Sequence, residues 1–428
     1  MIPGTSTGLC RLASGLSGSP EAGKAAERVC AQCAEGLGSG AVDLAVLFVS
    51  SHHVAKAGEI AAIIRRDLRA DCLIGVSAES VVGGRTELER APGVALLAAR
   101  LPGVSLVPFT AEELSPFDES PDGLAKLGRG FGADADLRAT FLFVDPFSVP
   151  VMGLLPAMNR ARALAAAGGG AVGPLIGGIS SGSTSPGGNA MLLDEAVHKT
   201  GLVGVSLKGP VRVDAVVSQG CRGFGPNLVV TKSRKNVILE LSGRPALHMV
   251  RDVVEELPED DKKLLERGLF MGRVINEYKE RFGRDDFLIR NVVGVDENHN
   301  AIAVSDFVKV GQTVRFHLRD AKTADEDLAM LLDAQQLRDP PLGGLLVTCN
   351  GRGTRLFDAP GHDAEAIARA FAPGRGGEEL AKGGREIDPE GPTLPLAGFH
   401  AAGEIGPVGG ESYLHGQTAC LALFRNPR

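Results

Sequence analysis

Three times along this chain of 428 residues, a short apolar run is followed by a one-sided apolar stripe and then by a second short run that ends at a glycine. Val42 to Val49 is apolar almost throughout, as a strand covered on both faces must be. From His53 to Arg69, the residues Val54, Ala57, Ala61, Ile64 and Leu68 share one helical stripe. Cys72 to Val76 is then a second strand. Ala139–Asp145, Val151–Ala167 and Pro174–Ile179 repeat this order, and so do Gly344–Cys349, His362–Ala372 and Leu394–Phe399. The second runs end as LIGVSAES (73–80), LIGGISSG (175–182) and LAGFHAAGE (396–404). A strand, a helix and a second strand of this length predict a parallel pair with a right-handed crossover. A threefold degenerate unit is expected, and such sheets bind ligands at the carboxyl ends of their strands.

The stretches between these units alternate like antiparallel strands: Leu202–Leu207, Val211–Ser218, Asn227–Thr231 and Asn236–Leu241, then Phe287–Val295, Ala301–Ser305 and Gln312–Leu318. Pro20 to Leu37 reads as a helix and residues 1–19 as a frayed, polar start. Thr323 with Glu326 forms a capping box for a helix reaching about Leu337. The charged stretch Pro245–Gly268 reads as a helical linker between two halves, and 374–386 as a surface loop. The expected fold class is α/β in the mixed α+β sense: two domains with β-α-β units and antiparallel β-rich segments. The expected division is 1–41 (an N-terminal segment with one helix), 42–241 and 242–424.

Composition narrows the function. Hydrophobic residues make up 44% and charged residues 23%, enough apolar content for a packed core. Trp is absent, only two Tyr occur, the formal charge is −7 and no long Lys/Arg run is present, which argues against nucleic acid as a partner. No apolar stretch approaches the roughly 18 residues that span a bilayer, and the start lacks a basic region followed by an apolar one, so neither membrane nor signal peptide is expected. Seven scattered cysteines, an odd number, suit reduced thiols in a cytoplasm.

Several short motifs have plain structural readings. GGGAVG (168–173) matches a dinucleotide pattern, yet it follows a helix instead of a strand, and a turn accounts for it better. GISSG (178–182) lacks the helix that a nucleophilic Ser180 would need. Cys30 and Cys33 lie inside a helix with no second metal-ligating pair, so they read as core thiols, and no metal or cofactor is expected. His52 and His53 end the first strand and either face a ligand cleft or sit in a solvated loop.

The densest special residues lie in LVTCNGRG (346–353), LAGFHAAGEIGPVGG (396–410) and YLHGQTACLALF (413–424). Each joins a strand end to glycines, which let backbone N–H groups approach a ligand. The candidate ligand-binding residues are Cys349, Asn350, Arg352, His400, Glu404 and His415, with Cys221 and Arg222 from QGCRGFGP (219–226). Arg grips carboxylates bidentately and Glu pairs with ammonium groups, so Arg352 and Glu404 either hold a zwitterion such as an amino acid or pair with each other. No catalytic residue is assigned. A thiol-dependent enzyme, using Cys349 or Cys221 with His400 or His415, is one alternative. A ligand-free interaction scaffold is another.

These strings, with NVILELSGRPAL (236–247), DDFLIRNVVGVD (285–296), GQTVRFHLRD (311–320) and LLVTCNGRGTRLF (345–357), occur in one order and together resemble the FIST family, whose name joins F-box and intracellular signal transduction proteins. The opening VDLAVLFVS (42–50) and the LIGVSAES loop resemble its N-terminal domain. The resemblance covers roughly residues 42 to 424. It implies an intracellular sensory module that binds small ligands, amino acids among them, and occurs beside signalling domains in bacteria or an F-box in eukaryotes. The residues matching the family's motifs are Gly220, Cys221, Asn350, Gly351, Arg352, Gly353, Gly403, Glu404, Gly406, Pro407, His415 and Gly416. The first loop, GVSAES, departs from the family in lacking an acidic residue after a small–Gly pair, which counts against ligand contact by Glu79. Only Asn426, Pro427 and Arg428 follow the matching region, so any signal is expected to pass through a separate partner.

Overall fold

The computed structural model describes residues 8–114, 118–166, 173–372 and 393–427. The expected loop at 374–386 and most of GGGAVG lie outside the described residues. The chain is a mixed α+β protein with two compact units. One comprises Met1–Val217, Leu328–Leu414 and Ala419–Arg428; the other comprises Ser218–Asp327 with His415–Thr418. The division drawn at 242 in the sequence falls inside the second unit.

The first unit contains the three repeats. The first runs β1 (Arg11–Ser17), α1 (Ala22–Leu37), β2 (Val42–Ser50), α2 (Ala57–Leu68), β3 (Ala70–Ala78), the hairpin β4 (Val81–Gly83) and β5 (Thr86–Leu88), and β6 (Val94–Arg100). The second runs β7 (Ser105–Thr110), α3 (Ala111–Leu114), α4 (Pro121–Gly130), β8 (Leu137–Val144), α5 (Val151–Ala165), β9 (Leu175–Ile179), the hairpin β10 (Met191–Leu193) and β11 (Ala196–His198), and β12 (Leu202–Lys208). The third opens with β13 (Arg212–Gln219).

The second unit follows: β14 (Cys221–Arg234), β15 (Val237–Leu241), β16 (Arg244–Pro245), α6 (Ala246–Glu255), α7 (Glu259–Leu264), β17 (Leu269–Val274), β18 (Phe287–Asp296), β19 (Ala301–Val304) and β20 (Thr313–Arg319). The third repeat then resumes with α8 (Ala321–Gln336), β21 (Gly343–Cys349), α9 (His362–Ala370), β22 (Leu396–Ala401), β23 (Glu404–Val408), β24 (Glu411–His415) and β25 (Thr418–Arg425).

The three sheets of the first unit obey one rule. Their orders are β1-β6-β2-β3-β10-β11, β7-β12-β8-β9-β23-β24 and β13-β25-β21-β22-β4-β5. Each is centred on a parallel pair, β2–β3, β8–β9 or β21–β22. In each, the last two strands are a hairpin lent by another repeat: the second lends to the first, the third to the second, and the first to the third.

The glycine that ends each sequence motif is explained by this pairing. Gly75, Gly177 and Gly398 lie opposite Leu47, Leu142 and Leu346. A Cβ on each would come within 2.5, 1.8 and 1.9 Å of the partner leucine's carbonyl oxygen, so any side chain would strike backbone. The strands are apolar throughout because their inner faces meet in one core, where the rings of Phe48, Phe143 and Phe399 lie 5.1–5.7 Å apart, while helices cover the outer faces.

The second unit is a closed antiparallel barrel. Its strand order is β14-β20-β17-β18-β19-β15, and β15 pairs back with β14. Closure leaves no open edge among these six strands. Phe316, Met271, Ile302 and Val230 lie in its core, which the apolar face of α6 (Leu247, Val250, Val253) completes.

Three local expectations are corrected. Residues 11–17 are not frayed: β1 pairs with β6 along its whole length, and Gly15 lets the α1 backbone at Val29 approach. Pro245–Gly268 is not a linker, because its apolar stripe belongs to the barrel core. The cap of α8 is Asp320, not Thr323. Asp320 accepts the Lys322 N–H at 3.1 Å and the Thr323 hydroxyl at 2.8 Å, which leaves Thr323 inside the helix.

Candidate functional site

The carboxyl ends of the second strands of all three repeats meet. The backbone N–H of Glu79 donates to Ser181 Oγ at 2.9 Å, the Ser181 hydroxyl donates to the His400 carbonyl, and the His400 N–H donates to the Ser80 carbonyl at 3.0 Å. This ring passes once through each repeat. Beside it, the third repeat carries the charged residues.

Strand alternation sorts them. Thr348 lies opposite His400, and Cys349 opposite Ala401. Thr348 and His400 share the face covered by α9, where Leu346 and Leu396 pack on Ile367. Cys349 is on the other face. Arg352, fully buried, forms a two-pronged bond with Asp363 in the first turn of α9: Nε to Oδ2 and Nη2 to Oδ1, both 2.7 Å. A buried guanidinium demands such a partner. The Thr348 hydroxyl adds a third bond to Asp363 at 2.7 Å, and His362 Nδ1 lies 3.1 Å away. Burial alone would raise the Asp363 pKa, yet the charge and hydrogen bond of Arg352, with those of His362, hold it well below the carboxylate range. Burial works against the Arg352 charge, but Asp363 outweighs it and raises that pKa. The guanidinium lies 5.3 Å from the centre of the Phe357 ring, which stacks on His362.

The first repeat completes the cluster through its lent hairpin. Glu87, on β5, lies 3.0 Å from His400 Nε2 and accepts the Ala364 N–H at the start of α9, also at 3.0 Å. Nearer the surface, Glu79 grips Arg355 at 2.7 and 2.8 Å, and Arg355 also donates to the Asn350 carbonyl at 2.9 Å. Glu89 accepts from the Thr354 backbone at 3.0 Å. Two buried polar atoms here, Arg352 Nη1 and Asn350 Oδ1, have no hydrogen-bond partner among the described residues.

Of the eight candidate residues, Cys349, Asn350, Arg352 and His400 come together at two neighbouring strand ends. Glu404 is buried at the start of β23, its backbone opposite Gly178. The carboxylate partner of Arg352 is Asp363. Cys221, Arg222 and His415 belong to the other compact unit. There Cys221 is buried, and Arg222 is held by Asp320 at 2.9 Å and by Asp261.

Residues with plain readings behave plainly. Cys30 and Cys33 are buried in α1, and burial pushes both thiols up to about 12. His53 is buried with Nε2 3.0 Å from the Ser19 carbonyl, and burial lowers its pKa, while His52 is exposed. Ser180 is buried and donates to the Ser77 carbonyl at 2.7 Å. Among the described residues, no His, Cys, Asp and Glu cluster is placed to hold a metal, and no helix is long and apolar enough to cross a membrane.

Sequence reasoning missed Asp363, Glu87, Thr348 and Arg355. Thr348 could have been read from strand alternation, and Asp363 from its place in the first turn of a helix. Glu87 carries no local sign, because its hairpin joins the sheet of a repeat some 300 residues away in the chain.

Family models match both halves: the FIST N domain over residues 43–244 and the FIST C domain over 246–407. An uncharacterized protein of Mycobacterium tuberculosis is 38% identical over 417 residues, covering 97% of this chain and 99% of that protein. An uncharacterized protein of Mycobacterium bovis is 36% identical over 417 residues, covering 97% and 98%. With both domain models matched along one chain, the protein belongs to the FIST family, whose domains are associated with signal transduction and small-ligand sensing.

Proposed function

We propose that the protein is a cytoplasmic sensor that binds a small molecule, an amino acid being the leading class, at the strand ends of its third repeat, and that it signals through a separate partner. The observation carrying this reading is the concentration of buried charge there. Arg352, Asp363, Glu87 and His400 gather where the first repeat has the single buried histidine His53, and buried, perturbed ionisable groups cluster at functional sites. The Arg352 Nη1 donor and the Asn350 Oδ1 acceptor match complementary groups on a polar ligand. Arg355 and Glu79 form the rim.

The test is a thermal-shift screen of the full chain against amino acids and common metabolites, repeated on Arg355→Ala and Asn350→Ala. At 100 times its dissociation constant a ligand stabilises the fold by about 2.7 kcal/mol. A hit weakened by both substitutions supports the site, a hit indifferent to both moves it elsewhere, and no hit across the panel counts against the sensor. Of the thiol–histidine pairs, Cys349 with His400 is disfavoured, because the two lie on opposite faces of the strand pair and cannot act as nucleophile and base together. A partner has apolar surface to use on the barrel, where Phe307 is 65% and Val310 62% exposed. A Phe307→Ser, Val310→Ser protein that still binds ligand but no longer engages its partner would place that contact.

A further inference from the structure

Arg100 and Arg425 hold the same place in two repeats. Leu96 pairs with Leu47, and Leu421 with Leu346; four residues further on, β6 ends at Arg100 and β25 at Arg425. Both side chains turn to the carboxyl end of the helix in front of them. Arg100 is used up there: it donates to the carbonyls of Leu37, the last residue of α1, and of Gly38, Gly40 and Ala41 just beyond it, at 2.8–3.1 Å. Arg425 is fully buried and gives one nitrogen, Nη2, to the Gln335 carbonyl at 3.3 Å and to its side-chain oxygen at 3.1 Å. Its Nη1 is buried with no hydrogen-bond partner among the described residues.

The first repeat sets only Arg11 of β1 opposite Arg100, whereas the third gathers further charge around Arg425. Asp214, on β13, lies 2.8 Å from Arg425 Nε, 3.6 Å from Arg212 Nε and 3.5 Å from Arg338 Nη1. Arg212 also meets Asp339 at 2.9 Å, and its Nη2 is buried without a hydrogen-bond partner among the described residues. Three guanidinium groups thus lie against the two carboxylates; Nε and Nη2 of Arg212, Nε and Nη1 of Arg425, and Oδ2 of Asp214 are all buried without a hydrogen-bond partner among the described residues. Burial lowers the Arg425 pKa, Asp214 opposes that, and the neighbouring charges of Arg212 and Arg338 lower it further. Such crowding of like charge is relieved by an anion.

We propose that Arg212, Arg338 and Arg425 form a second ligand site, separate from the strand-end cluster, which takes a small oxyanion: the phosphate or carboxylate group of a metabolite. The guanidinium fork matches either group. Asp214 competes with the anion from inside the site.

Titration of the full-length protein with sodium phosphate, sodium acetate and sodium chloride at matched ionic strength, followed by calorimetry, tests this. Saturable binding of phosphate beyond chloride is expected, weakened about tenfold by Arg338→Gln, a half-exposed residue whose loss leaves the core intact. Asp214→Asn is expected to tighten it, which a purely structural arginine cluster would not do. Saturation by acetate in place of phosphate assigns a carboxylate ligand. A response no greater than that to chloride overturns the proposal, and so does binding that both substitutions leave unchanged. Arg355→Ala serves as a control and leaves this site unaltered, so failure here is distinct from failure of the sensor reading.

Discussion

The first and third repeats share a backbone plan and differ in what they bury. In the first, the loop after β2 is short, and position 53, six residues beyond the leucine that faces Gly75, holds a histidine satisfied by one carbonyl. In the third, the matching position holds Arg352, the loop before α9 is longer, and a carboxylate, a hydroxyl and a lent glutamate gather around it. The plan is fixed by apolar strands and a glycine that cannot be replaced. The chemistry is added at strand ends, where side chains can change without disturbing the pairing.

The largest expected effect of breaking this contrast is at Asp363. Asp363→Ala leaves a fully buried guanidinium without its carboxylate and should cost about 3–5 kcal/mol by denaturant unfolding. His53→Ala removes one hydrogen bond to a carbonyl and should cost about 1–2 kcal/mol. Equal costs would show that the buried charge is no special feature of the third repeat.

The glycines should behave alike in both repeats. Gly398→Ala and Gly75→Ala each force a Cβ onto a carbonyl oxygen and should destabilise by about 1–3 kcal/mol or more, Gly398→Ala the worse because its approach is 1.9 Å against 2.5 Å. If either alanine is tolerated, the threefold plan is looser than described.

Acid should separate the repeats more gently. His53 has a lowered pKa in the fold, so its neutral form stabilises above the ordinary histidine value of about 6.5, and that contribution declines as pH falls below it. Asp363 is also lowered, but from the carboxylate value. Its contribution is full above about pH 4 and is lost only below that. Protection against hydrogen exchange, corrected for the intrinsic rate at each pH, should therefore fall in α2 before α9 as pH falls from 7 to 3, and Asp363→Asn should flatten the second stage. Simultaneous loosening would refute the assignment. The smallest effect is chemical silence: with thiols pushed up to about 12, Cys30 and Cys33 should resist iodoacetamide at pH 8 until the protein is unfolded.

Much of the plan was legible because periodicity reports local burial. The three strand–helix–strand units, their glycine endings and the antiparallel stretches all lie where the apolar patterns place them. What stayed hidden was long-range. Nothing in Val81–Leu88 says that its hairpin joins β22, and so Glu87 could not be paired with His400. The amphipathic stripe of Pro245–Gly268 was visible, but not that a barrel lay beneath it. Of the candidate site, residue type beside glycine singles out Arg352 and His400, whereas one of the two readings of Arg352 pairs it with Glu404, and its carboxylate lies eleven residues along, at Asp363.

The lending of hairpins sets an order for synthesis. The sheet of the first repeat is complete once β11 has left the ribosome, and the barrel, drawn mainly from 218–327, can close as soon as its own strands emerge. The second repeat cannot: the neighbour of β9 is β23, which is translated more than two hundred residues later. Until then β9 offers bare backbone to any passing strand. The hairpin β4–β5 waits longer still for β22, so the nascent chain must shelter both edges until the third repeat is made, and chaperone contact and misfolding should concentrate at these two places.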